Sequence, residues 1–299
     1  MKKITEPGIY DISLAEYHGD PCDAPSISSS GLRDIEMKSP RHYWVTSPYN
    51  PNRIAREESR QMLLGSAAHH LLLGEDGFAN RYVARLDEAP DGRAWNGNNK
   101  SCKEWLADQA AAGKIVLAPQ EIAAIKGMAE SLHEHPVIRA GILNGQVEKS
   151  LFWKDGDIWL KARPDAIPAD SNIIVDLKTI SCADAITTRR RITDAGYHMQ
   201  LALAADGFRH VLGREMEEFV LVFVETAPPY CVNIKPIDKE AIWYGAMQNR
   251  RAIAKFRKAI KAGEWPGYED DGITAHLQEW YRRRLEAEYE NHELREAAE

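Results

Sequence analysis

The spacing of hydrophobic and polar positions along the chain changes from a helical pattern to a strand pattern near residue 145. Apolar residues at helical spacing predict helices over residues 58–73, 101–112, 119–133 and 194–212. Segments rich in β-branched and aromatic residues predict strands over residues 146–154, 157–165, 172–179 and 217–225. From residue 238 the pattern is again largely helical, with an interruption at residues 263–272. This order predicts an α/β or α+β fold, in which a central mixed sheet is flanked by helices and carries N- and C-terminal helical additions.

The serine run near the N-terminus predicts the start of a helix. Ser28-Ser29-Ser30 is expected to cap a helix that begins near Gly31, and Pro40 is expected to end or follow it.

Length and charge restrict the organisation of the chain and its partners. A chain of 299 residues fits one domain over residues 1–299, with a core at about residues 25–230 and a helical extension at about residues 238–299. The formal net charge of −7 argues against a broad basic surface, so any contact with a nucleic acid is expected to be local, in a groove or channel. The chain contains no apolar run of membrane-spanning length and no apolar segment after its basic N-terminal residues, which favours a cytoplasmic protein.

The four cysteines are scattered and do not form a metal-binding pattern. Cys22, Cys102, Cys182 and Cys231 include no C-x-x-C pair, which argues against a zinc ribbon or a local iron–sulfur motif, and we expect four buried thiols. The aromatic pairs Trp243-Tyr244 and Trp265-Pro266 are expected to pack in the core rather than to stack on nucleic-acid bases.

The predicted strands bring several charged side chains together. Asp155-Gly156 is a strong two-residue hairpin signal, and a turn at that dipeptide would place Lys154 opposite Asp157. Glu148 would then lie opposite Arg163, on the sheet face that also carries Asp165.

A second hairpin would complete this cluster of acidic residues. If its turn is centred on Asp170-Ser171, Asp165 lies directly opposite Asp176, with Cβ atoms roughly 5 Å apart. Lys178 lies on the same strand face as Asp176, two residues further along.

Two facing carboxylates repel each other unless a cation lies between them. Oxygen ligands at this density suit Mg²⁺ or Mn²⁺ better than Zn²⁺, which prefers nitrogen and sulfur ligands. The alternative is that these carboxylates are solvated on an exposed face and that the strands pair in a different register.

The spacing of these residues resembles the P-D…(D/E)-x-K signature of the PD-(D/E)XK nuclease superfamily. Pro164-Asp165 is followed after ten residues by Asp176-Leu177-Lys178. Further matches, in the family's order, are Gly65-x-x-x-His69, Gln146-Val147-Glu148 and Tyr197-His198-Met199-Gln200. The opening segment SISSSGLRDIEMKSPRHY is similar to the start of the RecE-like exonuclease VIII domain, and the resemblance covers about residues 25–260. One departure is Ala204, where RecB-like members often carry tyrosine.

The resemblance implies a set of metal ligands. Asp165, Asp176 and the carbonyl of Leu177 would hold Mg²⁺, with Mn²⁺ as a substitute and two ions per site. Glu148 would complete the site directly or through water. His69 would contact a second ion; its alternative role is that of a core histidine, and His70 is expected to serve packing or the surface.

Other residues would act on the substrate. Lys178 would orient the attacking water and stabilise its deprotonated form. Gln200 would position Lys178 or the phosphate, unless it is a surface amide. The DNA contacts would come from Tyr197 and from the run Arg189, Arg190 and Arg191, which a solvated loop would explain equally well. Ser28, Ser30 and Arg33 are candidates for binding a terminal 5′-phosphate, although helix capping alone also accounts for the serines.

The function that the resemblance implies is a RecE-like 5′→3′ exonuclease, which hydrolyses linear double-stranded DNA from its ends in phage-type recombination. It further implies a ring-shaped homo-oligomer of three or four subunits and a single-strand annealing partner of RecT type. The alternatives are an endonuclease or a RecB-like single-strand nuclease on the same core, and a catalytically silent DNA-binding module. The complete Asp–Asp–Lys set argues against the silent module.

Overall fold

The computed structural model describes residues 3–54, 59–73, 77–143, 145–147, 149–167, 171–270 and 272–296, with the side chains of residues 61 and 291–296 left aside. The helices within these ranges are α1 Leu14–His18, α2 Ser29–Met37, α3 Pro40–Thr46, α4 Arg60–Leu72, α5 Phe78–Arg81, α6 Lys100–Ala111, α7 Pro119–Glu134, α8 Pro136–Arg139, α9 Ala185–Asp194, α10 Tyr197–Leu212, α11 Lys239–Ala262 and α12 Glu279–Glu296. The strands are β1 Gly8–Tyr10, β2 Ser26–Ser28, β3 Tyr82–Ala84, β4 Ile115–Leu117, β5 Gln146–Val147, β6 Ser150–Asp155, β7 Ile158–Ala162, β8 Ala166–Ile167, β9 Ile173–Ile180, β10 Glu218–Glu225 and β11 Val232–Pro236.

Two larger sheets organise the molecule. One contains four strands in the order β1-β6-β7-β2, and the other contains three in the order β11-β10-β9. Strands β9 and β10 are parallel and are connected through α9 and α10, because parallel neighbours need a crossover connection rather than a tight turn. The sheets are therefore mixed and flanked by helices, which confirms the predicted α/β architecture.

Strand β9 is buried on both faces, and its alternation decides where its charged residues point. Val175 and Leu177 belong to the core cluster that α4 and α7 cover. Ile174 and Ile180 belong to the cluster that α10 and α11 cover. Asp176 lies between these isoleucines in the two-residue period of the strand and so faces α10.

The first hairpin has a different register from the predicted one. Asp155 pairs with Ile158 and Lys154 pairs with Trp159, so the turn residues are Gly156 and Asp157. Gly156 has a positive φ of 61°, a conformation that glycine adopts without strain. The prediction that Lys154 pairs with Asp157 is therefore wrong, because the turn lies one residue further along the chain than predicted.

The second predicted hairpin is also wrong in its pairing. Within the described residues, β9 forms its ladder with β10 in parallel, and Asp165 lies just before β8 rather than in a strand opposite Asp176. The Arg163 side chain, predicted to lie opposite Glu148, donates a hydrogen bond to Ser150 Oγ at 3.0 Å. Glu148 lies outside the described residues.

The structure differs from the helix predictions in the segment after β9. The arginine run after β9 lies in helix α9, whose N-cap Asp184 accepts hydrogen bonds from the backbone N–H groups of Ile186 and Thr187. Pro40 follows α2 as predicted: α2 ends at Met37, and Pro40 is the first residue of α3, a position where its missing N–H costs nothing.

Burial of the cysteines and aromatic residues corrects two expectations. Cys22 and Cys102 are buried, whereas Cys182 and Cys231 are exposed. Trp265 packs as predicted, with its ring stacked 4.6 Å from that of Trp44. Trp243 and its neighbour Tyr244 do not pack in the core as predicted, since they are 56% and 53% exposed.

The chain divides into two compact units, Met1–Gly267 and Tyr268–Glu299. In the second unit, α12 carries ion pairs one turn apart, such as Arg282 with Glu279 at 2.7 Å and Arg284 with Glu288 at 2.7 Å. Among the described residues, no helix combines the length and apolar character that crossing a membrane requires.

Candidate active site

Strand β9 and helix α10 build the centre of the site. Asp176 is 3% exposed and accepts a hydrogen bond at 2.7 Å from Nε2 of Gln200 on its Oδ1. Its Oδ2 makes an ion pair with Nζ of Lys178, the next residue on the same strand face. The Lys178 ammonium also lies 5.0 Å from the centre of the Tyr197 ring. The N-terminal turn of α10 thus holds both charged side chains of β9.

Asp165 reaches the same place at an edge of β9 that pairs with no other strand among the described residues. Its Oδ2 accepts a hydrogen bond at 2.5 Å from the backbone N–H of Leu177. Because the N–H and C=O of a strand residue point to the same side, the Leu177 carbonyl also faces this open edge. Asp165 and Asp176 are therefore brought together although they are not a cross-strand pair.

Helix α4 brings His69 to this edge. His69 Nδ1 lies 3.7 Å from Asp165 Oδ1. The close approach of α4 to β9 is possible because Gly65 has no side chain: a Cβ at that position would lie 2.9 Å from Thr179 Oγ1. The His70 ring makes edge-on contacts with Phe78 and Tyr82, and His70 lines the same cavity as His69.

The charges of the site set the protonation states of its basic groups. Burial, together with the Lys178 ammonium, lowers the pKa of His69 to about 4, although Asp176 and a hydrogen bond with the Leu177 backbone act in the opposite direction. His69 is consequently a neutral imidazole at pH 7. Burial alone would lower the pKa of Lys178, but the carboxylates of Asp176 and Asp165 outweigh it and raise the pKa. Lys178 is therefore a cation.

A cavity of about 630 Å³ opens beside these residues. Among the residues that the structure describes, its lining includes four cationic side chains, Arg81, Arg163, Lys178 and Arg191, and no aspartate or glutamate. The overall charge of the chain is −7, so this cationic lining is a local feature of the site. It is the kind of surface that attracts a polyanion.

A smaller cavity of about 200 Å³ adjoins the other side of the acidic cluster. Ser28, Ser30 and Arg33 line it together with Asp176 and Gln200. The Arg33 guanidinium is held by a 2.7 Å hydrogen bond from Nη1 to the Ala195 carbonyl. Arg163 lines both cavities and so lies where they adjoin.

The structure groups most of the predicted site residues and separates a few. Tyr197 and Arg191 line the larger cavity, whereas Arg189 and Arg190 are exposed on α9, the latter paired with Asp194 at 3.2 Å. Sequence reasoning missed Arg81, which carries no local signal. It also gave no functional role to Arg163, although that residue directly precedes the Pro164-Asp165 motif.

The donor atoms of the site suit a hard divalent cation, although they do not form a closed metal cage. Within the described residues, no three His, Cys, Asp or Glu side chains converge closely enough to hold a metal ion. Lys178 makes an ion pair with the Asp176 carboxylate, and the Leu177 N–H donates to the Asp165 carboxylate. Asp176 Oδ2 is nevertheless buried without a hydrogen bond, its partner being the Lys178 ammonium. Two carboxylates, a strand-edge carbonyl and a neutral imidazole are a fitting donor set for Mg²⁺ or Mn²⁺.

Comparison with known proteins identifies the class to which this fold and site belong. Residues 28–272 match the family described as a PDDEXK-like domain of unknown function, DUF3799. The chain belongs to this family, and with it to the PD-(D/E)XK nuclease superfamily. No protein of curated function matches the sequence.

One solved structure shows the same fold. The crystal structure of a presumed exonuclease from Eubacterium rectale is similar with a TM-score of 0.60 and 13% identity, over 90% of this chain and 97% of that one. The alkaline exonuclease LHK-Exo from Laribacter hongkongensis matches with 13% identity over 55% of this chain and 84% of its own, but its TM-score of 0.25 is too low to support an argument.

Proposed function

We propose that this protein is a divalent-metal-dependent deoxyribonuclease that hydrolyses phosphodiester bonds at the ends of linear double-stranded DNA. The observation that carries the proposal is the cavity lined by Arg81, Arg163, Lys178 and Arg191 directly beside the Asp165–Asp176 pair. Arginine and lysine side chains bind phosphates, and the adjacent carboxylates offer a place for a metal ion.

Each residue of the site has a distinct role in the proposed hydrolysis. Asp165, Asp176 and the Leu177 carbonyl would hold Mg²⁺, or Mn²⁺ in its place, and His69 and Glu148 would serve a second ion. When bound, such ions activate water and polarise the phosphoryl group. Lys178, already a cation, stabilises negative charge as it develops on the attacked phosphate. Gln200 keeps Asp176 in position through its 2.7 Å hydrogen bond.

The smaller cavity favours action at a DNA end. Ser28 and Ser30 lie at the N-terminus of α2 and, with Arg33, line a space next to Asp176. A helix N-terminus with hydroxyl groups and a guanidinium suits a terminal phosphate. We infer a 5′-phosphate there and hence 5′→3′ degradation. Tyr197 and Arg191 would contact the strand in the larger cavity, with Arg189 and Arg190 at its periphery.

The wider biological setting follows from the resemblance to RecE-like exonucleases. It suggests a role in phage-type recombination, a ring of three or four subunits and a single-strand annealing partner of RecT type. Light scattering on the purified protein tests the ring, and a monomer at working concentration would remove it.

The decisive experiment is digestion of end-labelled linear duplex beside a closed circular duplex of the same sequence. We expect Mg²⁺ and Mn²⁺ to support release of the 5′ label from the linear DNA, with little cleavage in chelator. Ca²⁺ is expected to support binding with little turnover. Lys178→Ala serves as the strongly impaired variant, and His70→Ala, whose ring contacts Phe78 and Tyr82, serves as the variant expected to be only weakly impaired. Cleavage of the circle at a similar rate would indicate an endonuclease, and full activity in chelator would refute the metal mechanism.

A further inference from the structure

Helix α12 of the second unit carries large apolar side chains that are exposed. All described side chains between residues 268 and 290 are exposed, so the described part of this unit has no core of its own. Tyr281 and Leu285 are each 38% exposed, and Tyr289 is 67% exposed. Contiguous apolar side chains on the surface of a soluble protein mark an interaction site.

These three side chains form one continuous ridge. They are four residues apart on α12, and residues at this spacing lie one above another on the same face of a helix. The Tyr281 ring also contacts that of Trp280 edge-on, with 5.5 Å between the ring centres, which widens the apolar surface at this end. Ridges of side chains four residues apart pack into the grooves of a second helix in the commonest class of helix packing. The shape of the surface therefore suits another helix.

The charges beside the ridge indicate which helix that is. The three residues before Leu285 are all arginine, and glutamates occupy alternate positions after it. A second α12 that runs antiparallel, centred on the same leucine, would bring Arg284 opposite Glu286 and Arg282 opposite Glu288. The charge pattern is thus complementary to itself, as a two-fold symmetric interface requires. A parallel copy would place arginine beside arginine.

The arginines already form ion pairs within the helix, but these pairs are weak. Arg282 pairs with Glu279 and Arg284 pairs with Glu288, each at 2.7 Å, and all four side chains are more than half exposed. Exposed pairs of this kind contribute little to stability, so exchanging them for pairs with a second helix costs little. In such an interface the charges determine the orientation, while the apolar ridge supplies most of the affinity.

We propose that α12 pairs in antiparallel orientation with α12 of a second copy of this chain, with Leu285 close to the two-fold axis. Tyr281 of each copy would then pack against Tyr289 of the other. A single helix pair falls at the small end of protein interfaces, below about 1,200 Å², so the association is expected to be weak and dependent on concentration. The pairing requires neither the proposed nuclease activity nor the proposed ring.

Thiol cross-linking of the full chain tests the contact at the centre of the helix. The exposed thiols Cys182 and Cys231 are first replaced by serine to remove background reaction. A short thiol-specific cross-linker should then join two copies of Leu285→Cys. Arg283→Cys is the matched control, because residues two apart lie on opposite sides of a helix. We expect Leu285→Cys to react at least about tenfold faster, since pairing raises the effective concentration of its thiols.

A mixture of two variants tests the orientation. Tyr281→Cys and Tyr289→Cys should cross-link to each other faster than either does to itself, because only an antiparallel pair brings these positions together. Faster reaction of each variant with itself would indicate a parallel pair and overturn the proposal.

Charge reversal tests the ion pairs, with light scattering over a range of concentrations as the measurement. Arg284→Glu and Glu286→Arg should each reduce the mass at high concentration, and the double variant should restore it. Within one helix the double reversal sets like charges one turn apart, so recovery must come from a second copy. Leu285→Asp should halve the mass relative to wild type at high concentration, whether or not the ring forms.

Three further results would overturn the proposal. One is equal cross-linking of Leu285→Cys and Arg283→Cys, and another is a double charge variant that stays dissociated. The third is an unchanged mass in Leu285→Asp together with lower thermal stability, which would show that the ridge packs against its own chain. Failure of the proposed nuclease activity is recorded separately, as absence of DNA cleavage with the cross-linking pattern intact.

Discussion

Gly65→Ala tests whether close packing of α4 on β9 positions His69. The added Cβ would lie 2.9 Å from Thr179 Oγ1, about 0.5 Å short of ordinary van der Waals contact, which begins at 3.4 Å. Thr179 is β-branched and lies in a strand, so its side chain has limited freedom to rotate away. The helix is therefore expected to move outward by about half an ångström, and His69, one turn along the same helix, should move with it.

The expected loss of activity follows from that displacement. Misplacement of a catalytic group by about 1 Å costs on the order of a hundredfold in rate, so half of it should cost roughly tenfold. The second substitution Thr179→Ala removes the atom that the new methyl group meets. The double variant should recover most of the activity that Gly65→Ala loses.

The assay is single-turnover cleavage of labelled linear duplex by both single variants and the double variant, at equal folded concentration. Circular dichroism and thermal unfolding serve as controls for the fold. A Gly65→Ala rate equal to wild type would show that helix α4 tolerates the methyl group. A double variant no faster than Gly65→Ala would show that contact with Thr179 is not the cause.

Three further predictions concern single side chains. Lys178→Ala should slow cleavage by on the order of a hundredfold while leaving metal affinity nearly intact, whereas Asp176→Ala should also weaken metal binding. Single-turnover rates and calorimetric metal titrations distinguish the two variants. A wild-type rate in Lys178→Ala would contradict the role assigned to Lys178. His69→Ala should lower activity strongly and His70→Ala weakly, and equal losses in a direct comparison would mean that both rings serve packing. Burial lowers the pKa of Lys161 from 10.5 to about 8. Between these two pH values the unfolded chain binds a proton on Lys161 that the folded chain does not bind. The free energy of unfolding should therefore rise with pH across this window, by on the order of 3 kcal/mol. Denaturant unfolding at both ends of the window measures this rise, which Lys161→Met should lack; an equal rise in that variant would assign it to other groups.

Local sequence signals predicted the elements well where short-range physics decides them. Strand β10 occupies residues 218–225 against a prediction of 217–225, and α7 occupies 119–134 against 119–133. The hairpin turn was misplaced by one residue because Asp155-Gly156 and Gly156-Asp157 both offer the required glycine. Helix α9 was missed because its arginines and threonines lack an apolar stripe, and its capping residue Asp184 is the signal that could have revealed it.

The sequence by itself determined the chemistry of the candidate site: which residues are acidic, that Asp176 and Lys178 share a strand face, and that Gly65 and His69 lie one helical turn apart. These follow from the fixed periods of strands and helices. Only the tertiary structure decided how Asp165 meets Asp176. Their proximity comes from the packing of separate sheets and from the hydrogen bond that the Leu177 N–H of β9 donates to Asp165. The strand that pairs with β9 is β10, so no strand register could have predicted this contact. The same holds for Arg81, whose surroundings come from segments far apart in the chain.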